Sequence, residues 1–151
     1  MRIGVISDTH DLLRAEVKAF LQGADRIFHA GDICSLRILD ELRAIAPVTA
    51  VRGNNDRGPW AAQLKEEETV TLDGTTFYLI HDLKTMLIDP LASGINIIIH
   101  GHSHQPRQIE KNGVLYLNPG SAGPRRFKLP IAVAEILLHN GSALARHQVL
   151  S

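Results

Sequence analysis

Five short segments of the chain hold residue types that could do chemistry: Asp8-Thr9-His10, Gly31-Asp32, Gly53-Asn54-Asn55-Asp56, His81, and His100-Gly101-His102-Ser103-His104. Two carboxylates, four or five imidazoles and an amide oxygen make a mixed nitrogen and oxygen donor set with no thiolate. Such a set suits manganese, iron, zinc, nickel or cobalt better than calcium or magnesium, which prefer oxygen alone. The donors outnumber what one ion needs, since tetrahedral zinc takes only four. Seven protein ligands with one bridging carboxylate can hold two metals about 3.5–4 Å apart, the spacing used for in-line displacement at phosphorus.

Taken singly, most of these segments have an ordinary reading. Asp8-Thr9-His10 could cap a helix at Leu12, Asp32 could be a helix N-cap, and Gly53-Asn54-Asn55-Asp56 is loop composition. The string Ile97-Ile98-Ile99-His100-Gly101-His102-Ser103-His104 is different, because three imidazoles clustered after an apolar strand repel one another if charged and have no evident structural task. Each of the five segments follows the last apolar residue of a strand, and that conjunction favours one shared site over five coincidences.

The elements that must position them follow from hydropathy. Arg2 to Ile6 reads as a strand, followed by a helix carrying Leu13, Val17, Phe20 and Leu21. Asp25 to His29 is a second strand, followed by a helix with Leu36, Leu39, Leu42 and Ile45 as its buried stripe and Ser35 as N-cap. Val48 to Val51 is a third strand, and these strand-helix units favour a parallel sheet. Glu68 to Leu72 and Thr75 to Ile80 form a hairpin about Asp73-Gly74, and Lys84 to Leu91 reads as a short helix closed by Pro90. Ile95 to Ile99 is a buried strand. Pro106 to Glu110 pairs with Val114 to Leu117 around Asn112-Gly113, and Pro130 to Leu138 pairs with Ala143 to Leu150 around Asn140-Gly141. Two or three helices and nine or ten strands exceed one open sheet. The expected fold is α/β, with two facing mixed β-sheets flanked by helices in a four-layer αββα sandwich, one domain over residues 1–151. In such sheets the carboxyl ends of parallel strands share an edge, where loops distant in sequence meet.

Composition narrows the function. Sixteen Lys plus Arg balance sixteen Asp plus Glu, and aromatics are 5% of the chain, which disfavours nucleic acid as a partner. No apolar run approaches the roughly 20 residues needed to span a bilayer. A single cysteine, Cys34, fits a reducing cytoplasm.

The motifs D-x-H, G-D, G-N-x-D, a lone H and G-H-x-H resemble those of the calcineurin-like metallophosphoesterases. The small size and Asn118-Pro119-Gly120-Ser121 are similar to the family's compact prokaryotic phosphodiesterase branch. The resemblance implies a two-sheet sandwich and two divalent ions, manganese first among manganese, nickel, zinc, iron and cobalt. One ion would take Asp8, His10, Asp32 and His104; the other would take Asp32, Asn54, His81 and His102. Asp32 bridges. A bridging hydroxide would attack phosphorus in line, with Asp32, Asn54 and His102 as the residues closest to catalysis. Asn54, Gly120, Ser121 and Arg125 would contact a small phosphate-ester substrate, although Arg125 and Arg126 could equally lie on a solvated loop. His100 receives no ligand role. Dimers are common in the family, and a homodimer is the corresponding expectation here.

Two departures stand out. Several branches carry G-N-H, whose histidine protonates the leaving group, whereas this chain has Asn55, leaving Asp11 or a metal-bound water as the acid. The family often continues its fourth motif as H-G-H, whereas His81 is followed by Asp82-Leu83. Two other functions share the fold: a phosphomonoesterase, and a protein-binding scaffold like a eukaryotic retromer subunit.

Overall fold

The computed structural model describes residues 1–151 and contains ten strands, three helices and one 3-10 turn. The first sheet has the order β10-β9-β1-β2-β3, from β1 (Arg2–Ile6), β2 (Arg26–His29), β3 (Val48–Ala50), β9 (Ala132–His139) and β10 (Ser142–Val149). The second has the order β4-β5-β6-β8-β7, from β4 (Glu67–Leu72), β5 (Thr75–Ile80), β6 (Ile97–Ile99), β7 (Arg107–Lys111) and β8 (Val114–Asn118). Strands β1, β2 and β3 run parallel, as do β5, β6 and β8, so each sheet presents three carboxyl ends together. All three hairpins turn on two residues with positive φ, Asp73-Gly74, Asn112-Gly113 and Asn140-Gly141, matching the right-handed twist of the strands they join.

Period-two alternation sorts the strands onto a shared core. Ile3, Val5 and Phe28 of the first sheet face Phe77, Leu79, Ile97, Ile99 and Leu117 of the second. Phe28 meets Phe77 edge to face with ring centroids 5.2 Å apart. On the outer side of the first sheet, Ile6, Ile27 and Val133 pack under Val17 and Leu21 of α1 (Ala15–Leu21) and Ile38, Leu39 and Leu42 of α2 (Leu36–Arg43). The helix approaches so closely that a Cβ on Gly4 would lie 2.4 Å from Leu21. Leu36, expected in the buried stripe, is instead exposed, with Ile38 in its place. At about 100° per residue, Leu36 sits roughly 120° from the centre of the face shared by Ile38, Leu39 and Leu42. Ser35 is the N-cap residue as expected, but its hydroxyl donates to Asp11 rather than to the helix.

Over the second sheet the expected helix at Lys84 to Leu91 is absent. Only a 3-10 turn, Leu83–Thr85, forms, and Met86 is already extended. The Asp82 carboxylate and carbonyl close this turn on Lys84 and Thr85, while Asp89, before Pro90, accepts from the Leu91 N–H. Leu83, Met86 and Ile88 still cover Tyr78, Ile80 and Ile98, so this outer layer is irregular chain rather than helix. Helix α3 (Pro59–Ala62), one turn started by Pro59, was not expected.

Candidate metal centre

The parallel carboxyl ends of both sheets open onto one edge, where five of the predicted ligands, Asp8, His10, Asp32, His81 and His104, converge, while Asn54 and His102 are exposed beside them. Asp8 and His10 follow β1, Asp32 follows β2, Asn54 follows β3, His81 follows β5, and His102 and His104 follow β6. The connections are tight. Asp8, His10, Asp32, His102 and His104 all have φ between 46° and 74°, a region that non-glycine residues seldom occupy and that concentrates at functional sites.

Glycines of the motifs let these turns close. A Cβ on Gly53 would lie 2.2 Å from Asp32 Oδ1, and one on Gly101 would lie 2.1 Å from the Ser7 hydroxyl and 2.7 Å from Asp8 Oδ2. The G-N and G-H steps are thus steric requirements of the two carboxylates.

Two groups of donors converge. Asp8, His10 and His104 form one, and Asp8, Asp32 and His81 form the other, each with ligand atoms mutually within 4.8 Å. Asp32 Oδ2 lies 3.5 Å from His10 Nε2 and 3.3 Å from His81 Nε2, facing both groups. Asp8 Oδ1 lies 3.4 Å from His104 Nε2, 3.8 Å from His10 Nε2 and 4.0 Å from His81 Nε2. This oxygen is buried and has no hydrogen-bond partner, in a protein whose other buried carboxylate oxygens are satisfied. Such an orphan, ringed by imidazole nitrogens, is the donor arrangement that a cation completes. His102, like His100, is in neither group, although its Nδ1 lies 3.3 Å from His81 Nε2.

The ligands are held from behind. His81 Nδ1 donates to the Ala30 carbonyl at 2.7 Å, which leaves Nε2 as the free lone pair. Asp8 Oδ2 accepts from the Ser7 hydroxyl and the His102 backbone N–H. Asn55, where several branches carry a histidine, donates its backbone N–H to Asp32 Oδ1 and its side-chain amide to Oδ2, each at 2.9 Å. Asp56 accepts four backbone N–H groups, those of Asp32, Ile33, Cys34 and Gly53. Its place three residues after Gly53 is the only sequence signal for this role.

Burial alone would raise the Asp8 carboxyl, but the nearby imidazoles of His10, His104 and His81 and the Ser7 hydroxyl hold it well below the usual range. Burial likewise opposes ionisation of Asp32, yet His81 and Asn55 bring it down to about 2. Both are therefore carboxylates, ready as ligands.

Other expected residues fall elsewhere. His100 is in neither donor group; it lines a small cavity with Leu83, Arg107 and Tyr116, and burial and Arg107 lower it to about 4. The Gly120 N–H is taken by Asn118 Oδ1, and the buried Ser121 hydroxyl donates to the carbonyls of Asp8 and Pro124. This turn, expected to meet phosphate, braces the loops instead, with Asn118 also donating to Gly101 and Ser103. Arg125 binds the Leu129 carbonyl and the Ser151 hydroxyl, and none of its bonds goes to the cluster. Asp11 is a poor acid, since Ser35 and Arg37 hold its carboxyl below the usual range. Asn54 is exposed and lines, with Arg52, His81, Asp82 and Thr85, a cavity of about 170 Å³ beside the cluster.

Residues 1–141 match the model of the calcineurin-like phosphoesterase superfamily domain, and the chain belongs to that family. It is 36% identical over 134 residues to a probable metallophosphoesterase of Methanothermobacter thermautotrophicus, covering 80% of this chain and 77% of that one. It is 30% identical over 138 residues to a phosphodiesterase of Methanocaldococcus jannaschii, covering 80% of this chain and 83% of the relative. Among solved structures, Vps29 of Chaetomium thermophilum shares the fold with a TM-score of 0.85 at 19% identity, over 100% of this chain and 92% of that one.

Proposed function

We propose that this chain is a dinuclear metal-dependent phosphodiesterase acting on small phosphate diesters. The observation that carries this reading is Asp32 Oδ2, placed between His10 Nε2 at 3.5 Å and His81 Nε2 at 3.3 Å, as a carboxylate shared by two ions must be. One ion is assigned to Asp8, His10, Asp32 and His104, and the other to Asp32, Asn54, His81 and His102. The donor set suits manganese, zinc, nickel, iron or cobalt, and the family resemblance makes manganese the first choice. Divalent ions bound there supply Lewis-acid charge for the phosphoryl oxygens and lower the pKa of a water at neutral pH.

The chain's own residues set the rest. Asn55 hydrogen bonds favour the Asp32 carboxylate, Asp56 fixes the Asp32 backbone, and Asn54 borders the cavity where an ester substituent would lie. Asn55 has no proton to give as an acid, and Asp11 is tied to Arg37, so no side chain of the cluster serves as an evident acid for an alkoxide. Diesters with good leaving groups are accordingly the favoured substrates, in keeping with the name of the 30%-identical relative. No helix is long and apolar enough to cross a membrane. We place the protein in the cytoplasm, as the free Cys34 suggests, as one domain that dimerises as its family commonly does.

The likeness to Vps29 supports a second reading, a scaffold that binds protein partners through this fold. A scaffold has no need of a full ligand set. Metal-stripped protein titrated with manganese, zinc, nickel and iron, assayed on an aryl phosphodiester and its monoester, separates them. The enzyme reading expects activity that saturates near two equivalents, with the diester cleaved faster; a faster monoester reaction makes it a phosphomonoesterase. Failure to bind any metal overturns both and leaves the scaffold.

A further inference from the structure

The residue after His81 is an aspartate whose two carboxylate oxygens reach different elements. Asp82 Oδ1 accepts the Lys84 N–H at 3.0 Å, and the Thr85 hydroxyl donates to the Asp82 carbonyl at 2.8 Å, so the 3-10 turn that Asp82 caps fixes the carboxylate in place. Its Oδ2 faces His102 Nε2 at 3.8 Å. The opposite nitrogen of the same ring, Nδ1, lies 3.3 Å from His81 Nε2.

These contacts specify a tautomer. His81 Nδ1 must carry a proton, because its partner is the Ala30 carbonyl, so in the neutral ring, the form that binds a cation, Nε2 carries the lone pair. His102 Nδ1 converges on the same point. A neutral imidazole has one lone pair and one N–H. If Nδ1 faces a cation shared with His81, then Nε2 bears the hydrogen, and a carboxylate, which only accepts, is its complement. His102 also needs such help most: its side chain is 45% exposed, against 21% for His10, 5% for His81 and 4% for His104. Packing orients those three; it does little for His102.

We infer that Asp82 is the positioning carboxylate of His102, selecting the ring state with a free Nδ1 and closing on Nε2–H when a cation draws the ring inward. The role rests on the two-ion reading above and concerns its second ion only. Asp82 touches no reacting atom and is not a catalytic residue. The H-G-H pattern has a glycine at this place, so the device belongs to the departure seen in this chain.

The test is calorimetric titration of the metal-free full chain with Mn²⁺ and with Zn²⁺, alongside Asp82→Ala, Asp82→Ser and Asp82→Asn, with thermal unfolding of each metal-free variant. Serine still caps the Lys84 N–H but is too short to reach His102, and asparagine keeps the cap through its oxygen but turns an NH2, which only donates, toward His102 Nε2. The role predicts that Ala, Ser and Asn all weaken the second binding event by roughly 10- to 100-fold while leaving the first within about twofold. Ser and Asn should unfold near the wild-type temperature, so their loss of affinity cannot be a loss of the turn. Second-ion affinity unchanged in both Ala and Ser overturns the assignment, as does a loss in Ala alone, which would mark Asp82 as a cap. A wild-type chain that binds a single ion overturns the two-ion reading itself, and this role with it.

Discussion

The carboxylate of Asp56 accepts the backbone N–H of Asp32 at 2.9 Å, so the aspartate that faces both histidine pairs is held by one that meets neither. The same carboxylate takes the N–H groups of Ile33 and Cys34 at 2.8 and 2.7 Å, which shapes the turn after β2, and that of Gly53 at 2.8 Å, which joins it to the turn after β3. Asp56→Ala would orphan these donors, at about 1–3 kcal/mol for each buried group and less than their sum together. We expect a loss of roughly 3–5 kcal/mol in urea unfolding, with Asp56→Asn losing about half of that. An alanine variant within about 1 kcal/mol of wild type would show that the loops hold themselves.

Asp32→Ala removes the carboxylate proposed to bridge the two ions. Metal content by mass spectrometry should fall to one ion or fewer, and diester turnover by a factor of about 10³ or more. Adding metal at about 100 times its dissociation constant should stabilise the wild type by about 2.7 kcal/mol, an effect that chelator removes and the variant largely lacks. Near-normal turnover in Asp32→Ala would sink the bridging role.

Gly53→Ala places a methyl 2.2 Å from Asp32 Oδ1 and 2.3 Å from the Asp32 backbone nitrogen, where no flexible side-chain end can yield. Overpacking of this kind costs typically about 1–3 kcal/mol. Because the displaced group is the proposed bridging carboxylate, activity should fall further than stability does. Equal, small effects on both would mean that the turn relaxes freely.

His29 is fully buried beneath the site, accepting the Gly31 N–H on Nδ1 and donating Nε2–H to Thr9. Burial lowers it to about 3, so it stays neutral in the folded protein. Between about pH 6.5, where an unfolded histidine titrates, and pH 3 the unfolded chain binds the extra proton. Stability must then rise with pH across this window and fall on acidification, by up to about 1.4 kcal/mol per pH unit from this residue. Urea unfolding at pH 7, 6 and 5 should show that slope in the wild type and its reduction in His29→Gln; parallel profiles would contradict it.

Of the neighbouring histidines, His102→Ala should lose the second ion and at least about 10²-fold in turnover, while His100→Ala should keep both ions and most of its activity. Equal losses would overturn the choice between them. Since His100 packs beside Leu83 and Tyr116, its variant should show its cost in stability instead.

Much of this centre was legible in the chain. The Asp, His and Asn residues stand just after apolar strands, and three Asp-Gly or Asn-Gly pairs mark the two-residue hairpins, because both signals depend on local chemistry alone. What pairs across the molecule was not. The run Ile97-Ile98-Ile99 is buried on both faces, so hydropathy cannot tell which parity faces the other sheet; only the packed sandwich puts Ile97 and Ile99 in the shared core and sends His100 outward with Ile98. Arg125 and Ser121 looked like phosphate contacts by type, yet the C-terminal Ser151 and the Asp8 carbonyl, far off in sequence, claim them. The segment after His81 has helix-forming residues, but Asp82 and Asp89 bond their own backbone and stop it after one turn. The sequence by itself determined which residues could be ligands and that they lie at strand ends. Tertiary structure decided which of these donors converge, that His100 lies apart from them and that Asp56 braces the Asp32 turn, because those depend on distances between chain segments that no local pattern encodes.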